Sequence, residues 1–515
     1  MKRYRRFTLA ALPILAACGS TAYVSSPTDK LGQDPSGEIL PIATYLSNGS
    51  GKTIVFFLHG VNDHCPGYGI DPTIGWLNEQ TQKKLGLNVV QTPKAKERRS
   101  YSEIVLPDAG FSDAELSDES KITVRAQDYA YVGQGPMPRL QVVEITWSEL
   151  TQWLKRKQIG NDLQNPEQTT KELRKDPGLW CLKDIDSLYR RPPRRSLVNR
   201  YLKEHTLDRS LVDAVIYSGA YGRRIQNGLA EALCAILDPS WTVPKPSEYT
   251  WMPDVRCDWS KVEINEHTKY IFVTHSLGGR ILYDTLLGLM KTQVRPEIEI
   301  FSKEYTDSSD PVVSKIARQT SIIYMMANQL PLLGLSNVEN DYDPTKDPRP
   351  MRLRLEATGT VTDEEKERLK LLRDATDSLQ KRYPEVLINE NIDKPDTDSG
   401  TTYEPKRLLA KECTNVPPTN IFAAKRAADD PNLPPLKIVA FSDTDDLLSW
   451  PIPPWYMEKQ KCAPKLDIVN AYVQNATRWF GLFSNPGTAH GGYFQNNQVW
   501  ELMRCGAKGA KLERC

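Results

Sequence analysis

The sequence predicts an α/β protein with a mostly parallel central sheet flanked by helices. Three observations predict it. Short continuous runs of β-branched and aromatic residues recur along the chain, each bounded by turn residues, which suits strands buried on both faces. Patterns of helical spacing lie between them, and strands alternating with helices build parallel sheets. One run, 270–274 (YIFVT), passes straight into His-Ser-Leu-Gly-Gly and then into a helical pattern.

Lys2, Arg3, Arg5 and Arg6 precede an apolar stretch, residues 7–17. The stretch is too short to span a bilayer and right for the core of an export signal. It closes on Leu15-Ala16-Ala17-Cys18-Gly19. This string resembles a bacterial lipobox, which implies removal of residues 1–17, lipidation of Cys18, and a protein anchored to a membrane rather than spanning it. Gly19, in place of an Asp, favours the outer membrane under that resemblance. The alternative is an ordinary cleaved signal in which Cys18 stands by chance. Residues 18–37, rich in Ser, Thr, Pro and Gly, read as a tether to a domain at 38–515.

The composition of that domain is globular: of 515 residues in all, 39% are hydrophobic and 25% charged, a mixture that fits neither disorder nor a fibre. Lys plus Arg is 66 and Asp plus Glu is 65; losing the four leader cations takes the net charge from +1 to −3. No bulk attraction to nucleic acid follows, and no nucleic-acid partner is expected. Pro, at 37, outnumbers Gly, at 30, which predicts long, stiff loops. Beyond Cys18 there are eight cysteines: Cys65, Cys181, Cys234, Cys257, Cys413, Cys462, Cys505 and Cys515. An even number in an exported chain predicts disulfides but selects no pairing. Their wide spacing, without a C-x-x-C pair, argues against a zinc site.

The predicted strands are 53–58 (TIVFFL), 140–146 (LQVVEIT), 270–274, 321–327 (SIIYMMA), 436–441 (LKIVAF) and 466–473 (LDIVNAYV). Helical patterns cover 211–237 as one long element, 277–290 and 496–503. Three stretches exceed a minimal unit and read as insertions: about 62–138, 148–260 and 335–430. The last two could instead form a separate small domain. The dense charge of 363–383 fits a solvated helix face.

Ser276 stands where the strand turns into a helix. A nucleophilic serine needs its Oγ raised on a tight turn among small neighbours, and Gly278 and Gly279 leave the backbone that room. The N-terminus of the following helix favours developing negative charge. Strand 53–58 ends at His59-Gly60-Val61, and strand 436–441 ends at Ser442-Asp443-Thr444-Asp445-Asp446-Leu447. His490 lies in the loop-like stretch 487–493 (GTAHGGY), after the last strand.

These motifs, in this order, resemble the α/β-hydrolase superfamily of esterase-like and lipase-like serine hydrolases. One position departs: Thr274 occupies the first Gly of G-x-S-x-G. The resemblance implies Ser276 as nucleophile, with an oxyanion hole formed by the Val61 and Leu277 N–H groups on a loop supported by His59 and Gly60. It also implies the order nucleophile, acid, histidine. Of six histidines, only His490 follows Ser276. The acid stays open: Asp446 or Asp445 aligns with the apolar pair that follows the family acid, while strand-end placement favours Asp443. Three close carboxylates also fit a Ca²⁺ site, although no regular ligand spacing supports one.

The expected reaction is hydrolysis of a carboxylic ester, in a small molecule or a lipid, through an acyl-enzyme on Ser276. It needs no cofactor and no metal. An acyltransferase using the same residues is one alternative. A surface lipoprotein that uses the scaffold only for binding is another. Trp450 and Trp455, with the prolines between them, either wall the site or pack as ordinary loop aromatics.

Overall fold

The structure, a computed structural model, describes residues 22–30, 34–46, 51–71, 73–90, 102–107, 120–131, 139–158, 211–219, 221–237, 249–251, 267–290, 319–334, 435–454, 466–477 and 484–512, with isolated positions such as Cys181 and Ile316. The leader, Cys18 and the stretch 335–430 lie outside the described residues. So does most of 148–260.

The strands, in chain order, are β1 Tyr23–Ser25, β2 Glu38–Ile39, β3 Thr53–Leu58, β4 Leu87–Val89, β5 Ser102–Pro107, β6 Lys121–Tyr131, β7 Arg139–Thr146, β8 Tyr249–Trp251, β9 Lys269–His275, β10 Thr320–Met326, β11 Leu436–Asp443, β12 Leu466–Val473, β13 Ala507–Lys508 and β14 Lys511–Leu512. The helices are α1 Glu79–Leu85, α2 Glu149–Gln158, α3 Val212–Ser218, α4 Gly222–Leu237, α5 Leu277–Met290, α6 Leu330–Gly334, α7 Pro486–Gly491 and α8 Asn497–Cys505.

Eleven strands form one sheet in the order β1-β12-β11-β10-β9-β3-β7-β6-β5-β8, with β4 paired to β6. From β12 to β7 every pairing is parallel. The continuous apolar runs are these strands. Every residue of β3 and of β11 is buried, because both faces of a parallel sheet are covered. Alternate residues divide between two cores. Ile54, Phe56, Tyr270, Phe272, Ile323 and Met325 pack with α4 and α5 residues such as Leu233 and Ile281. Val55, Phe57, Ile271, Val273, Tyr324 and Phe441 pack with Leu85 of α1 and Trp500 of α8. The result is a helix–sheet–helix sandwich, the α/β class that the alternation predicts.

Three expectations need correction. The tether expected at 18–37 does not extend to residue 37, because β1 adds antiparallel to the outer edge of β12 and buries Ala22 and Val24. The Ser- and Pro-rich composition around Tyr-Val-Ser hides that strand. The stretch 62–138 is not a peripheral insertion: β4, β5 and β6 widen the sheet beyond β7. Residues 121–131 alternate apolar and polar side chains, the antiparallel pattern, and carry no continuous apolar run. The single helix expected at 211–237 is two. Gly219 ends α3 with extended backbone, its N–H bonded to the Val215 and Ile216 carbonyls.

Candidate active site

The carboxyl ends of the parallel strands gather the predicted residues. Ser276 follows β9 directly and opens into α5. It is one of three non-glycine residues with positive φ among those described, at 51°. Its N–H donates to the Met326 carbonyl at the end of β10, 2.7 Å away. That bond and the helix behind hold a backbone conformation that L-residues adopt at a cost of order 1–2 kcal/mol. The end of β3 presses against this turn. A Cβ on Gly60 would lie 2.5 Å from Ser276 Cβ and 2.7 Å from the His275 carbonyl. A Cβ on Gly278 would run into the His59 carbonyl. The end of β3 and the β9–α5 turn can approach this closely only because both positions are glycine.

His490 Nε2 lies 3.0 Å from Ser276 Oγ. His490 Nδ1 lies 2.9 and 3.0 Å from the two carboxylate oxygens of Asp446. The Asp446 carboxylate is fully buried and the His490 side chain partly buried, 15% exposed. The carboxylate also accepts the Tyr493 hydroxyl at 3.0 Å and the Leu448 N–H at 2.9 Å. These bonds fix which face it turns to His490.

The other two carboxylates have different work. Asp443 ends β11 and accepts the N–H groups of Asp445 at 2.8 Å and Asn475 at 2.5 Å. It closes the loop, and burial pushes its carboxyl above the usual range. Asp445 is partly exposed. Among the described residues no group of acids and histidines could hold a metal ion.

His490 sits in the last turn of α7, not in a loop. Asn485 caps that helix, its side chain accepting from the Gly487 and Thr488 N–H groups, and Pro486 occupies the first turn, as N-cap chemistry favours. Asn475 Nδ2 donates to the Ala489 carbonyl at 2.7 Å, and His275 Nε2 lies 3.0 Å from the His490 carbonyl. The carbonyl can only accept, so His275 carries its proton on Nε2. Burial, with His490 as the next contribution, drives its pKa down to about 3. It stays neutral and holds the backbone of His490 from behind.

His59 is a structural residue. Its Nε2 accepts the N–H of Trp147 at 3.0 Å and of Ser148 at 3.3 Å, and its ring stacks on Trp147. Burial lowers its pKa far below the histidine norm. The Leu277 N–H belongs to the first turn of α5, where a helix has no internal acceptor. Among the described residues the Val61 N–H also makes no hydrogen bond. Leu277 follows Ser276 directly, and Val61 follows Gly60, which packs on the Ser276 turn.

What holds the Val61 loop leaves no local pattern in the sequence. Asn62 has φ 90°, and its N–H donates to Asp213 Oδ2 at 2.7 Å. Asp213, fully buried on α3, pairs with Lys155 of α2 at 3.0 Å, and Lys155 also reaches Asp63 at 2.7 Å. Asp213 further accepts the Thr151 hydroxyl at 3.1 Å. Nearby, Glu144 on β7 accepts the N–H groups of Gly69 at 2.7 Å and Ile70 at 3.0 Å. A disulfide joins Cys65 to Cys181. Only one signal could have pointed to Asp213: it is an acid inside an otherwise apolar helical pattern. Tyr493 was more findable, one helical turn beyond His490.

A polar cavity of about 540 Å³ lies behind α7, lined by Asn475, Thr488, Gln495 and Gln498 among others. Ser276 is not among its walls, so it is no acyl pocket. The gathered residues form a chain of hydrogen bonds from a hydroxyl to an imidazole to a buried carboxylate, an arrangement able to draw a proton from the hydroxyl. No known protein family, curated protein or solved structure matches this chain.

Proposed function

We propose that this protein is a serine hydrolase of the α/β-hydrolase fold that cleaves carboxylic esters and is anchored to a bacterial outer membrane through a lipid on Cys18. One observation carries the enzymatic part: the continuous hydrogen-bond chain Ser276–His490–Asp446, with Ser276 on a strained turn between strand and helix. A surface serine has no need of positive φ, a buried carboxylate partner and a glycine on each side of the contact between its turn and the end of β3. The anchor part rests on Leu15-Ala16-Ala17-Cys18 behind a basic and apolar leader.

In this reading His490 Nε2 takes the proton of Ser276 Oγ as the oxygen attacks the ester carbonyl. The carbonyl oxygen becomes an oxyanion held by the Val61 and Leu277 N–H groups, each contributing on the order of 3 kcal/mol. Asp446 stabilises the imidazolium and keeps its Nδ1 proton in place. The tetrahedral species collapses, His490 protonates the leaving alkoxide, and the alcohol departs. Water then attacks the acyl-enzyme, His490 takes one of its protons and returns it to Ser276, and the carboxylic acid leaves.

The test is covalent labelling of the folded chain with a fluorophosphonate, read by intact mass. Wild type should gain one adduct. Ser276→Ala should gain none, and His490→Ala should react at least a hundredfold more slowly. A well-folded wild type that gains no adduct would overturn the reading.

A further inference from the structure

We infer that the catalytic edge of the sheet faces the bilayer holding the Cys18 lipid, and that the substrate is an acyl ester carried in that bilayer. This rests on the anchored serine hydrolase proposed above.

The argument starts from strand register. Met326 of β10 pairs with His275 and with Phe441, Phe441 of β11 with Ala471, and Ala471 of β12 with Val24. The next row toward the carboxyl ends holds Ser276, Ser442, Tyr472 and Tyr23. Because β1 runs antiparallel, the chain enters it at this same edge. Four strand spacings of about 4.8 Å separate Ser276 from Tyr23, roughly 19 Å across the sheet. Ala22 is already buried. From Cys18 to Ala22 the chain can reach about 14 Å even fully extended. A domain of this length has a radius of gyration of roughly 24 Å. So short a leash cannot let the domain turn its catalytic edge away from the membrane.

The exposed side chains of the catalytic edge agree with that orientation. Leu447, directly after the orienting acid, is 69% exposed, and Trp450 and Tyr23 are each 37% exposed. Val215, on the outer face of the helix whose Asp213 holds Asn62, is 67% exposed. All belong to elements at the catalytic edge. At the opposite edge the register places Lys269 beside Thr53, and Lys437 beside Asp467. Apolar and aromatic side chains suit the interface of a bilayer. Of the Lys437–Asp467 pair, Asp467 faces water, its side chain 46% exposed, while Lys437 is buried beneath it.

The experiment uses the full chain lipidated at Cys18, in vesicles of phosphatidylethanolamine and phosphatidylglycerol that carry a fluorogenic long-chain acyl ester. A second form has a flexible Gly-Ser segment of about 30 residues inserted between Ser20 and Thr21. The insertion should slow hydrolysis of the ester in the same vesicle at least fivefold, while fluorophosphonate labelling of Ser276 stays unchanged. Hydrogen exchange at 444–450 should be slower on vesicles than in the unlipidated chain, with 51–52 and 267–268 unaffected. Equal hydrolysis after insertion, or protection at 51–52 and 267–268 instead, would overturn the inference. So would an intact mass without lipid on Cys18, with labelling preserved. Loss of labelling in both forms would strike the hydrolase reading, and the exchange pattern would still report the orientation.

Discussion

Three aspartates within four positions of one loop show how far chemistry at a single residue depends on what surrounds it. Asp446 is fully buried against His490 and is held by Tyr493 and by the Leu448 N–H. Asp443 spends both its oxygens on backbone N–H groups. Asp446→Asn should therefore leave the fold intact and lower kcat roughly 10³- to 10⁴-fold, because an amide favours the wrong tautomer of His490. Asp443→Asn should keep most of the turnover and lower the melting temperature instead. Steady-state hydrolysis of a short-chain ester, set beside thermal unfolding, separates the two. Ser276 and His490 were legible in the sequence from local context and order along the chain. The choice among the aspartates was not, because all three share one neighbourhood and only the direction of each side chain distinguishes them. His275 illustrates the same limit. Its bond to the His490 carbonyl joins positions 215 residues apart, which local context does not reveal.

Among the elements, the continuous apolar strands were readable because burial on both faces leaves a periodicity-free run. Strand β6 escaped because antiparallel strands alternate, and β1 because it is three residues long. The helices α2 and α3 carry the least legible part of the site. Their Lys155 and Asp213, with Asp63, form a buried ion triad that fixes Asn62 at positive φ, next to the Val61 N–H. Removing one member of such a group leaves a buried charge unpaired, so the loop should shift. Asp213→Ala is expected to lower kcat by roughly ten- to hundredfold with KM changed less than twofold, since the loss falls on oxyanion stabilisation. Asp213→Asn keeps an acceptor for the Asn62 N–H and should recover part of kcat. Turnover per fluorophosphonate-reactive site is the measure that matters. If that turnover is normal in Asp213→Ala, the triad serves stability alone.

For the molecule as a whole, buried ionisable groups set the acid limit of stability. The folded protein holds His275 at a pKa of about 3, while the unfolded chain binds that proton near 6.5. Its contribution is complete above the unfolded value and is lost as pH falls from about 6.5 toward 3. The slope is at most about 1.4 kcal/mol per pH unit for this one proton. His275→Gln, which keeps a donor for the His490 carbonyl, should unfold with a shallower dependence over that window. Denaturant titrations at several pH values would show it, and parallel slopes for the two proteins would refute it. The placement of β1 has a different consequence, in the time course of synthesis. Tyr23–Ser25 leaves the ribosome long before its partner β12. Such a pairing is the most non-local in the sheet and forms late. Until it forms, the edge of β12 presents unpaired backbone groups that another chain could take up. A nascent molecule is therefore safest when β1 is soon free to return, and anything that holds back the segment before it prolongs the interval in which two copies can exchange this strand.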